Sequence, residues 1–203
     1  MAGKIITFAQ QKGGAGKSTV AAQLAVAFAA KYRVAVLDLD PQGSLSRWAS
    51  VRDDPALPCQ ASKDWRAGSD LRDAARSHDL VIADCPGNAE VLLRAALRES
   101  DLVLLPAQPT SVDLWASAPV LAMAAEEKTP AAVILNRVPP RGTELPEEFP
   151  PAPAQLLAAR LGNRIAFSRA FAQGRTAMEV EPRSKAAEEV RALAAEVAGL
   201  LDL

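Results

Sequence analysis

Short apolar runs alternate along the chain with longer segments of helical periodicity, and this alternation constrains the fold more than any other feature. The runs are four to six residues long and apolar at nearly every position, which is typical of strands buried on both faces of a parallel sheet. The longer segments between them are typical of crossover helices. The pattern therefore predicts a doubly wound α/β fold, a mostly parallel sheet with helices on both faces. The predicted strands are Ile5–Ala9, Val34–Leu39, Leu80–Asp84, Leu102–Leu105 and Ala132–Leu135.

The predicted helices fill the segments between and after these strands. The last one runs from Ser184, a good N-cap ahead of an acidic first turn, to about Leu201. Its apolar residues recur on one face, which favours packing on the core. Residues 139–153 hold six of the 15 prolines and predict a loop. The other predicted helices are Lys17–Lys31, Ser44–Val51, Asp70–Ser77, Ala89–Glu99, Val112–Glu127 and Ala154–Leu161.

Length and composition limit the possible classes of protein. The chain has 203 residues, 49% of them apolar, and a net charge of −1, so we expect one domain over residues 1–203. Neither a membrane-spanning run nor a secretory leader is present, which predicts a soluble cytoplasmic protein. Cys59, Cys85 and the single histidine, His78, do not form a disulfide framework or a metal-binding motif. The three tryptophans show no base-stacking pattern, and we expect them to pack inside the protein.

Residues 10–19, Gln-Gln-Lys-Gly-Gly-Ala-Gly-Lys-Ser-Thr, follow a predicted strand and open a predicted helix. Glycines let backbone N–H groups turn toward a phosphate, and the helix N-terminus adds partial positive charge. Lys17 can reach β- and γ-phosphates, and the Ser18 hydroxyl can bind Mg²⁺. The general P-loop motif has Gly where this chain has Gln11, and a second lysine, Lys12, precedes the glycines. The predicted nucleotide-binding residues are Gly13, Gly14, Ala15, Gly16, Lys17, Ser18 and Thr19.

Acidic side chains end two of the predicted strands. Asp38 lies at the end of the second strand and Asp40 directly after it, and Asp84 ends the third, ahead of a loop that contains Gly. Because the carboxyl ends of parallel strands face the ligand crevice, these carboxylates can hold Mg²⁺ through water or orient an attacking water. We therefore predict a metal site formed by Ser18, Asp38 and Asp84.

These motifs resemble those of the ParA/MinD group of P-loop ATPases with a deviant Walker A motif, and most of all the short ParA-like partition ATPases that lack an N-terminal DNA-binding extension. The resemblance covers nearly the whole chain, although residues 139–153 depart from the helical segment usual in the family. Besides the phosphate loop and the strand-end aspartates, it is carried by Leu105-Pro-Ala-Gln-Pro109, Asp113, Asn136-Arg137 and a tail from Arg169 through Gly174 to Ser184-Lys185.

The resemblance implies an enzyme that uses ATP and Mg²⁺ and hydrolyses ATP slowly to ADP and phosphate. Lys12 would cross to the partner's nucleotide in an ATP-sandwich homodimer, Lys17 would bind its own, and Asp40 would help to activate the hydrolytic water. Asn136 would contact adenine. Members of the group segregate plasmid, chromosome or protein-cluster cargo with a ParB-like or cargo adaptor protein.

The segment from about residue 160 to 185 has a local excess of positive charge, six Arg or Lys against two Glu. Such a stretch could contact DNA phosphates without reading bases, and the resemblance implies nonspecific DNA binding by the ATP dimer. Acidic residues of the last helix argue against a membrane anchor, which would need several Lys or Arg on the polar face. The candidate DNA-binding residues are Arg164, Arg169, Arg175 and Lys185.

Other functions remain open on the same loop. An ATP-dependent metabolic enzyme, such as an amidoligase or synthetase, is the main alternative and would need a pocket for a second substrate. An iron–sulfur reductase or scaffold would need paired cysteines at a dimer interface, which Cys59 and Cys85 do not supply. A tyrosine-kinase relative would normally carry a tyrosine-rich tail, and Tyr32 is the only tyrosine.

Overall fold

Seven strands form one sheet in the computed structural model, which describes residues 2–62, 64–140, 145, 149–150 and 153–203. They are β1 Lys4–Phe8, β2 Val34–Asp38, β3 Cys59–Ala61, β4 Leu80–Asp84, β5 Leu102–Ala107, β6 Ala131–Val138 and β7 Gln155–Gly162. Their spatial order is β3-β2-β4-β1-β5-β6-β7, and every pairing between them is parallel. The predicted fold class and all five predicted strands are confirmed.

Helices cover both faces of the sheet. The described residues form α1 Lys17–Ala29, α2 Ser44–Arg52, α3 Ala67–Ser77, α4 Glu90–Glu99, α5 Ser111–Glu126, α6 Ile165–Ala172, α7 Ala177–Val180 and α8 Lys185–Leu200. Successive residues of a strand point to opposite faces, so Ile6 and Phe8 pack under α1, α2, α6, α7 and α8, whereas Ile5 packs under α3, α4 and α5. Two hydrophobic cores therefore enclose the sheet.

The strand order places the ligand crevice. β2, β3 and β4 lie on one side of β1, and β5, β6 and β7 lie on the other. Where strand order reverses in this way, the loops at the carboxyl ends of the strands separate and leave a crevice. The loops after β1, β2 and β4 meet there.

The prediction of a helix over Ala154–Leu161 is wrong, because residues 155–162 form the edge strand β7. Leu, Ala and Arg favour helices, but β6 offers a backbone partner, and the alternate residues Leu157 and Leu161 are buried in the core under α8. Glu196 of α8 accepts hydrogen bonds from two outer backbone N–H groups of β7, and Glu189 accepts one more. Tertiary contacts thus override the local preference and protect the sheet edge.

The last predicted helix is confirmed as α8, and it packs on the core as expected. The Ser184 hydroxyl accepts a hydrogen bond from the Ala187 N–H at 3.2 Å, and Val190, Leu193 and Val197 are fully buried. Within the described residues, no helix is both long and apolar enough to cross a membrane. Most of the predicted 139–153 loop lies outside the described residues.

The tryptophans do not all pack as expected. Trp48 is buried between the sheet and α6, but Trp65 is 80% exposed and Trp115 is 72% exposed. Trp65 lies in a short turn of 3-10 helix ahead of α3, and Trp115 lies in the second turn of α5. Trp115 shares α5 with Asp113, which pairs with Lys12 of the phosphate loop.

Candidate nucleotide site

The loop between β1 and α1 has the backbone of a phosphate cradle. Gly14 and Gly16 have φ of +76° and +100°, values that residues with a Cβ rarely adopt. A Cβ at Gly16 would also lie 2.3 Å from the Asn136 side-chain nitrogen. No side chain among the described residues caps the N-terminus of α1, so its first N–H groups remain free to bind an anion.

A cleft of about 300 Å³ lies over this loop and collects most of the predicted site. Its other walls come from the loop after β2, the loop after β4, the end of β6 and α6. The Ala15 side chain is buried outside the cleft. The lining residues are Gln11, Gly13, Gly14, Gly16, Lys17, Ser18, Thr19, Asp40, Gln42, Ser44, Gly87, Asn88, Arg137 and Phe171.

Two buried carboxylates lie side by side at the floor of the crevice. Asp38 and Asp84 occupy paired positions on β2 and β4. Asp38 accepts hydrogen bonds from the backbone N–H groups of Ser46, at 2.7 Å, and Asp40, at 3.2 Å. Both oxygens of Asp84 are buried without a hydrogen-bond partner among the described residues. Burial raises the pKa of Asp84 to about 7, opposed by the nearby Ser18 and Lys17 and reinforced by Asp38.

These residues fit a magnesium ion. Mg²⁺ prefers oxygen ligands and usually shares its coordination among a few carboxylates, waters and substrate phosphates. The unpaired oxygens of Asp84 and the neighbouring Ser18 hydroxyl are donors of this kind. The described residues contain no cluster of three or more His, Cys, Asp or Glu that could hold a metal unaided. Ser18, Asp38 and Asp84 would therefore hold Mg²⁺ together with phosphate oxygens.

The buried carboxyl of Asp84 predicts a pH-dependent stability. Because its folded pKa, about 7, lies above the ordinary value of 3.8, its contribution to stability is complete below pH 3.8 and is lost as the pH rises through 7. A carboxamide at this position cannot ionise. Between pH 5 and pH 8, the free energy of unfolding of the wild type should therefore fall by about 2–3 kcal/mol relative to that of Asp84→Asn. Chemical denaturation of nucleotide-free protein in EDTA measures this difference.

Asp73→Asn, at an exposed position on α3, is the matched control and should follow the wild type at both pH values. Parallel pH profiles for Asp84→Asn and the wild type would contradict the assignment.

Asp40 lies on the wall of the cleft, at the start of the turn that leads into α2. Its Oδ1 accepts a hydrogen bond from the Gln42 N–H at 2.9 Å, and its carbonyl accepts one from the Gly43 N–H at 2.8 Å. The carboxylate is partly exposed in the cleft. It can therefore meet a water that approaches a bound phosphate.

Lys12 lies beside this cleft without lining it. Its ammonium donates to Asp113 Oδ2 at 2.5 Å, in the first turn of α5. Asp113 is fully buried and also accepts a 2.6 Å hydrogen bond from the Thr110 hydroxyl. Burial disfavours its charge, but these hydrogen bonds outweigh burial and lower the pKa of Asp113. The ion pair directs Lys12 away from the phosphates of its own subunit.

Asp113 is a functional candidate whose role sequence reasoning did not assign. It appeared only as part of a family motif, since nothing local links it to Lys12, 101 residues earlier. Two exposed apolar side chains of α5 flank it, Val112 at 58% and Trp115 at 72% exposure. The helix that pairs with Lys12 thus also exposes two large apolar side chains, a feature of many subunit interfaces.

Asn136 supports the phosphate loop directly. Its Nδ2 donates to the Ala15 carbonyl at 2.8 Å, and its Oδ1 accepts from the Arg137 N–H at 2.9 Å. A second cleft of about 180 Å³, lined by Asn136 and Arg164, adjoins the first at Gly16 and Thr19. Arg137 lines both clefts and is exposed, so it is a further candidate for binding the nucleotide.

The four candidate DNA-binding residues divide into two pairs. Arg164 forms an ion pair with Glu189 at 2.6 Å, and Lys185 forms one with Glu188 at 3.1 Å. Arg169 and Arg175 are exposed and form no ion pair with the described residues. Only the second pair is free to bind an external anion without first breaking an internal contact.

Comparison with known proteins identifies the family. The model of the CobQ/CobB/MinD/ParA nucleotide binding domain matches residues 6–177. Maintenance of carboxysome distribution protein A from Halothiobacillus neapolitanus is 28% identical over 205 residues, which cover 95% of each chain. Protein ParA from Rhizobium radiobacter is 34% identical over 152 residues, which cover 67% of this chain and 65% of the relative.

A solved structure shares the fold. The septum site-determining protein MinD from Pyrococcus horikoshii, complexed with Mg-ADP, superposes with a TM-score of 0.77 at 20% identity, over 98% of this chain and 97% of that one. The family model covers the phosphate loop, the strand-end aspartates, Asp113 and Asn136. This chain therefore belongs to the CobQ/CobB/MinD/ParA family of nucleotide-binding domains.

Proposed function

We propose that this chain is a dimerising partition or positioning ATPase. It forms one nucleotide-binding domain over residues 1–203, binds ATP and Mg²⁺ in the cytoplasm, dimerises around ATP and hydrolyses it slowly. The observation that carries the proposal is the position of Lys12, a second lysine of the phosphate loop. It does not line its own cleft and pairs instead with Asp113 of α5, a helix that exposes Val112 and Trp115. The names of its relatives, ParA and a carboxysome distribution protein, support it.

Within one subunit, the phosphate loop supplies most of the binding. The N–H groups of Gly13 to Thr19 surround the phosphates, and Lys17 places its charge on the β- and γ-phosphates. In the structure the Lys17 ammonium donates to the Gln10 carbonyl at 3.2 Å, so it exchanges this weak contact for the phosphate. When bound, Mg²⁺ neutralises charge that develops on the phosphate oxygens.

Hydrolysis needs a positioned water, and Asp40 is the residue that we assign to this task. Its carboxylate faces the cleft and its backbone is held by the turn into α2. A carboxylate in this position accepts a hydrogen bond from the water and aligns it with the terminal phosphate. Asn136 donates a hydrogen bond to the Ala15 carbonyl of the phosphate loop and lines the second cleft. We assign this second cleft to the adenine.

The dimer would act on DNA and cargo. Arg169 and Arg175 would contact the phosphates of nonspecific DNA, and dimerisation doubles the number of contacts. With two contacts from each subunit, a fourfold increase in salt would lower the DNA affinity by about 100-fold. The ATP-bound form would then associate with the nucleoid, and a ParB-like or cargo adaptor protein would stimulate hydrolysis to move plasmid, chromosome or protein-cluster cargo.

One assay tests this function. The ATPase rate and the retention of duplex DNA are measured with ATP, with ADP and without nucleotide, at two salt concentrations. We expect slow turnover and salt-sensitive DNA retention that requires ATP. Rapid turnover that depends on a small acid or amine would instead identify the metabolic enzyme, and DNA retention that is indifferent to nucleotide would contradict the proposal.

A further inference from the structure

Helix α2 connects the nucleotide cleft to the basic part of the chain. At its N-terminus, Ser44 lines the cleft together with Asp40 and Gln42. Trp48 in the middle of the helix and Arg52 at its end face the turn of residues 173–176 that joins α6 to α7, here called the α6–α7 turn. The helix is only nine residues long, so a displacement of its first turn also displaces its last turn.

Side chains of α2 hold the turn by hydrogen bonds to its backbone carbonyls. The Trp48 Nε1 donates to the Arg175 carbonyl at 3.3 Å, and the Arg52 guanidinium donates to the Gly174 carbonyl at 3.3 Å. Gly174 has φ of +66°, and a Cβ there would lie 2.4 Å from the Arg52 backbone nitrogen. The two segments approach as closely as their backbones allow, which only glycine permits.

Arg52 is the centre of this contact. Its side chain is only 14% exposed and forms ion pairs with Glu179 of α7 and with Asp54, both at 2.9 Å. Its guanidinium also lies over the Trp48 ring, 5.5 Å from the ring centroid. Several simultaneous contacts orient this arginine and make a single geometry favourable.

Two further contacts link the nucleotide site to the segment around this turn. Phe171 lines the cleft and stacks on Trp48 with ring centroids 6.2 Å apart. Gln23 of α1, the helix that begins at the phosphate loop, accepts a hydrogen bond from the Ala177 N–H at 2.9 Å. Both helices that follow nucleotide-binding loops therefore touch the segment that presents Arg175.

We propose that Trp48 and Arg52 form a clamp that transmits the occupancy of the nucleotide cleft to the α6–α7 turn, and so makes DNA binding by Arg169 and Arg175 respond to ATP. Trp48 and Arg52 are positioning residues, since neither lines the cleft. The coupling of the cleft to the turn does not rest on the proposed function. The effect of the clamp on DNA binding does.

Hydrogen–deuterium exchange tests the clamp without DNA. In the wild type, a non-hydrolysable ATP analogue should slow amide exchange at residues 174–177 by about fivefold or more. Arg52→Gln keeps much of the aliphatic side chain but loses the charged guanidinium. The analogue should bind this variant with an affinity within about twofold of the wild type, but should leave the amide exchange of the turn unchanged. An unresponsive turn in the wild type, or a wild-type response in the variant, would overturn the clamp.

DNA binding provides the second measurement. Fluorescence anisotropy gives the ratio of DNA affinities with the ATP analogue and with ADP. From about tenfold or more in the wild type, this ratio should fall at least about threefold in Arg52→Gln, which keeps only the part that the doubled contacts of the dimer supply. Gly174→Ala should have the same effect, because its Cβ pushes the turn away from α2 while every cationic side chain remains. Arg76→Gln, an exposed arginine on α3 across the sheet, is the control and should keep the wild-type ratio.

The two measurements separate the possible failures. If exchange in the turn responds to nucleotide but the wild type binds DNA equally well with ATP and ADP, the clamp stands and the DNA-binding proposal fails. If the wild type binds DNA only with ATP and both clamp variants keep the full wild-type ratio of affinities, the clamp is wrong and the proposed function stands.

Discussion

Replacing Lys12 by Ala is expected to leave a monomer that still binds ATP. The phosphate loop and Lys17 remain, so nucleotide affinity within one subunit should be nearly unchanged. Dimerisation should weaken, because two triphosphates enclosed between subunits repel each other and the lysine supplied across the interface offsets that repulsion. Truncating one half of such a desolvated charge pair costs roughly 2–5 kcal/mol, which weakens the dimer by about 30-fold to several thousand-fold.

Lys12 pairs with Asp113 in the free subunit, and this contact competes with the one proposed across the interface. The buried carboxylate of Asp113 holds the ammonium in the single subunit. In the proposed dimer, the nucleotide of the partner would replace this carboxylate. Lys12→Ala removes the cation from both positions. The net loss of dimer stability is therefore the free energy of the contact with the nucleotide less that of the pair with Asp113.

Sedimentation velocity with a non-hydrolysable ATP analogue measures the effect, and binding of a fluorescent nucleotide measures the affinity. Lys31→Ala removes the same charge from an exposed site between α1 and β2, at the end of the sheet where the strands begin. This variant should dimerise as the wild type does. Lys17→Ala should instead lose nucleotide binding itself. A stable ATP-dependent dimer of Lys12→Ala would refute the trans role of this lysine.

Replacing Asp40 should give the opposite phenotype, a stable dimer without turnover. Both Asp40→Ala and Asp40→Asn remove the charge that aligns the water, and general-base assistance of this kind contributes about 10²–10⁴-fold to rate. The Asn variant keeps an oxygen for the Gln42 N–H and so preserves the turn into α2. We expect both variants to dimerise with ATP and to hydrolyse it at least about 100-fold more slowly than the wild type.

Single-turnover hydrolysis by the preformed dimer isolates the chemical step. Asp73→Ala, an exposed carboxylate on α3, provides the control and should hydrolyse ATP normally. If Asp40→Asn hydrolyses ATP at the wild-type rate, the charge of Asp40 has no part in positioning the water. If Asp40→Ala alone is slow, the turn matters and the carboxylate does not.

Much of the site could be predicted because its residues are consecutive. The loop from Gly13 to Thr19 lies between a buried strand and a helix, and the strand-end carboxylates follow directly from a parallel sheet. Local order along the chain is enough to place such groups. The structure places Lys17, Ser18 and Asp40 around one cleft and Asp38 beside Asp84 beneath it.

Other features depended on contacts between distant segments, which local patterns do not record. Leu and Ala favour a helix over residues 154–161, yet pairing with β6 and the carboxylates of α8 make that segment a strand. Arg164 and Lys185 were candidates for DNA binding, but acidic residues of α8 pair with them. The partner of Lys12 could not be identified, because Asp113 meets it only when β5 pairs with β1.

The sequence by itself determined the α/β fold class, the phosphate loop and the acidic strand ends, because each depends on spacing within about twenty residues. Only the tertiary structure decided which charges stay free: it paired Lys12 with Asp113, and Arg52 with Glu179, and left Arg169 and Arg175 exposed. The physical reason is that the interactions available to a charged side chain depend on its neighbours in space, and folding brings these together from remote parts of the chain.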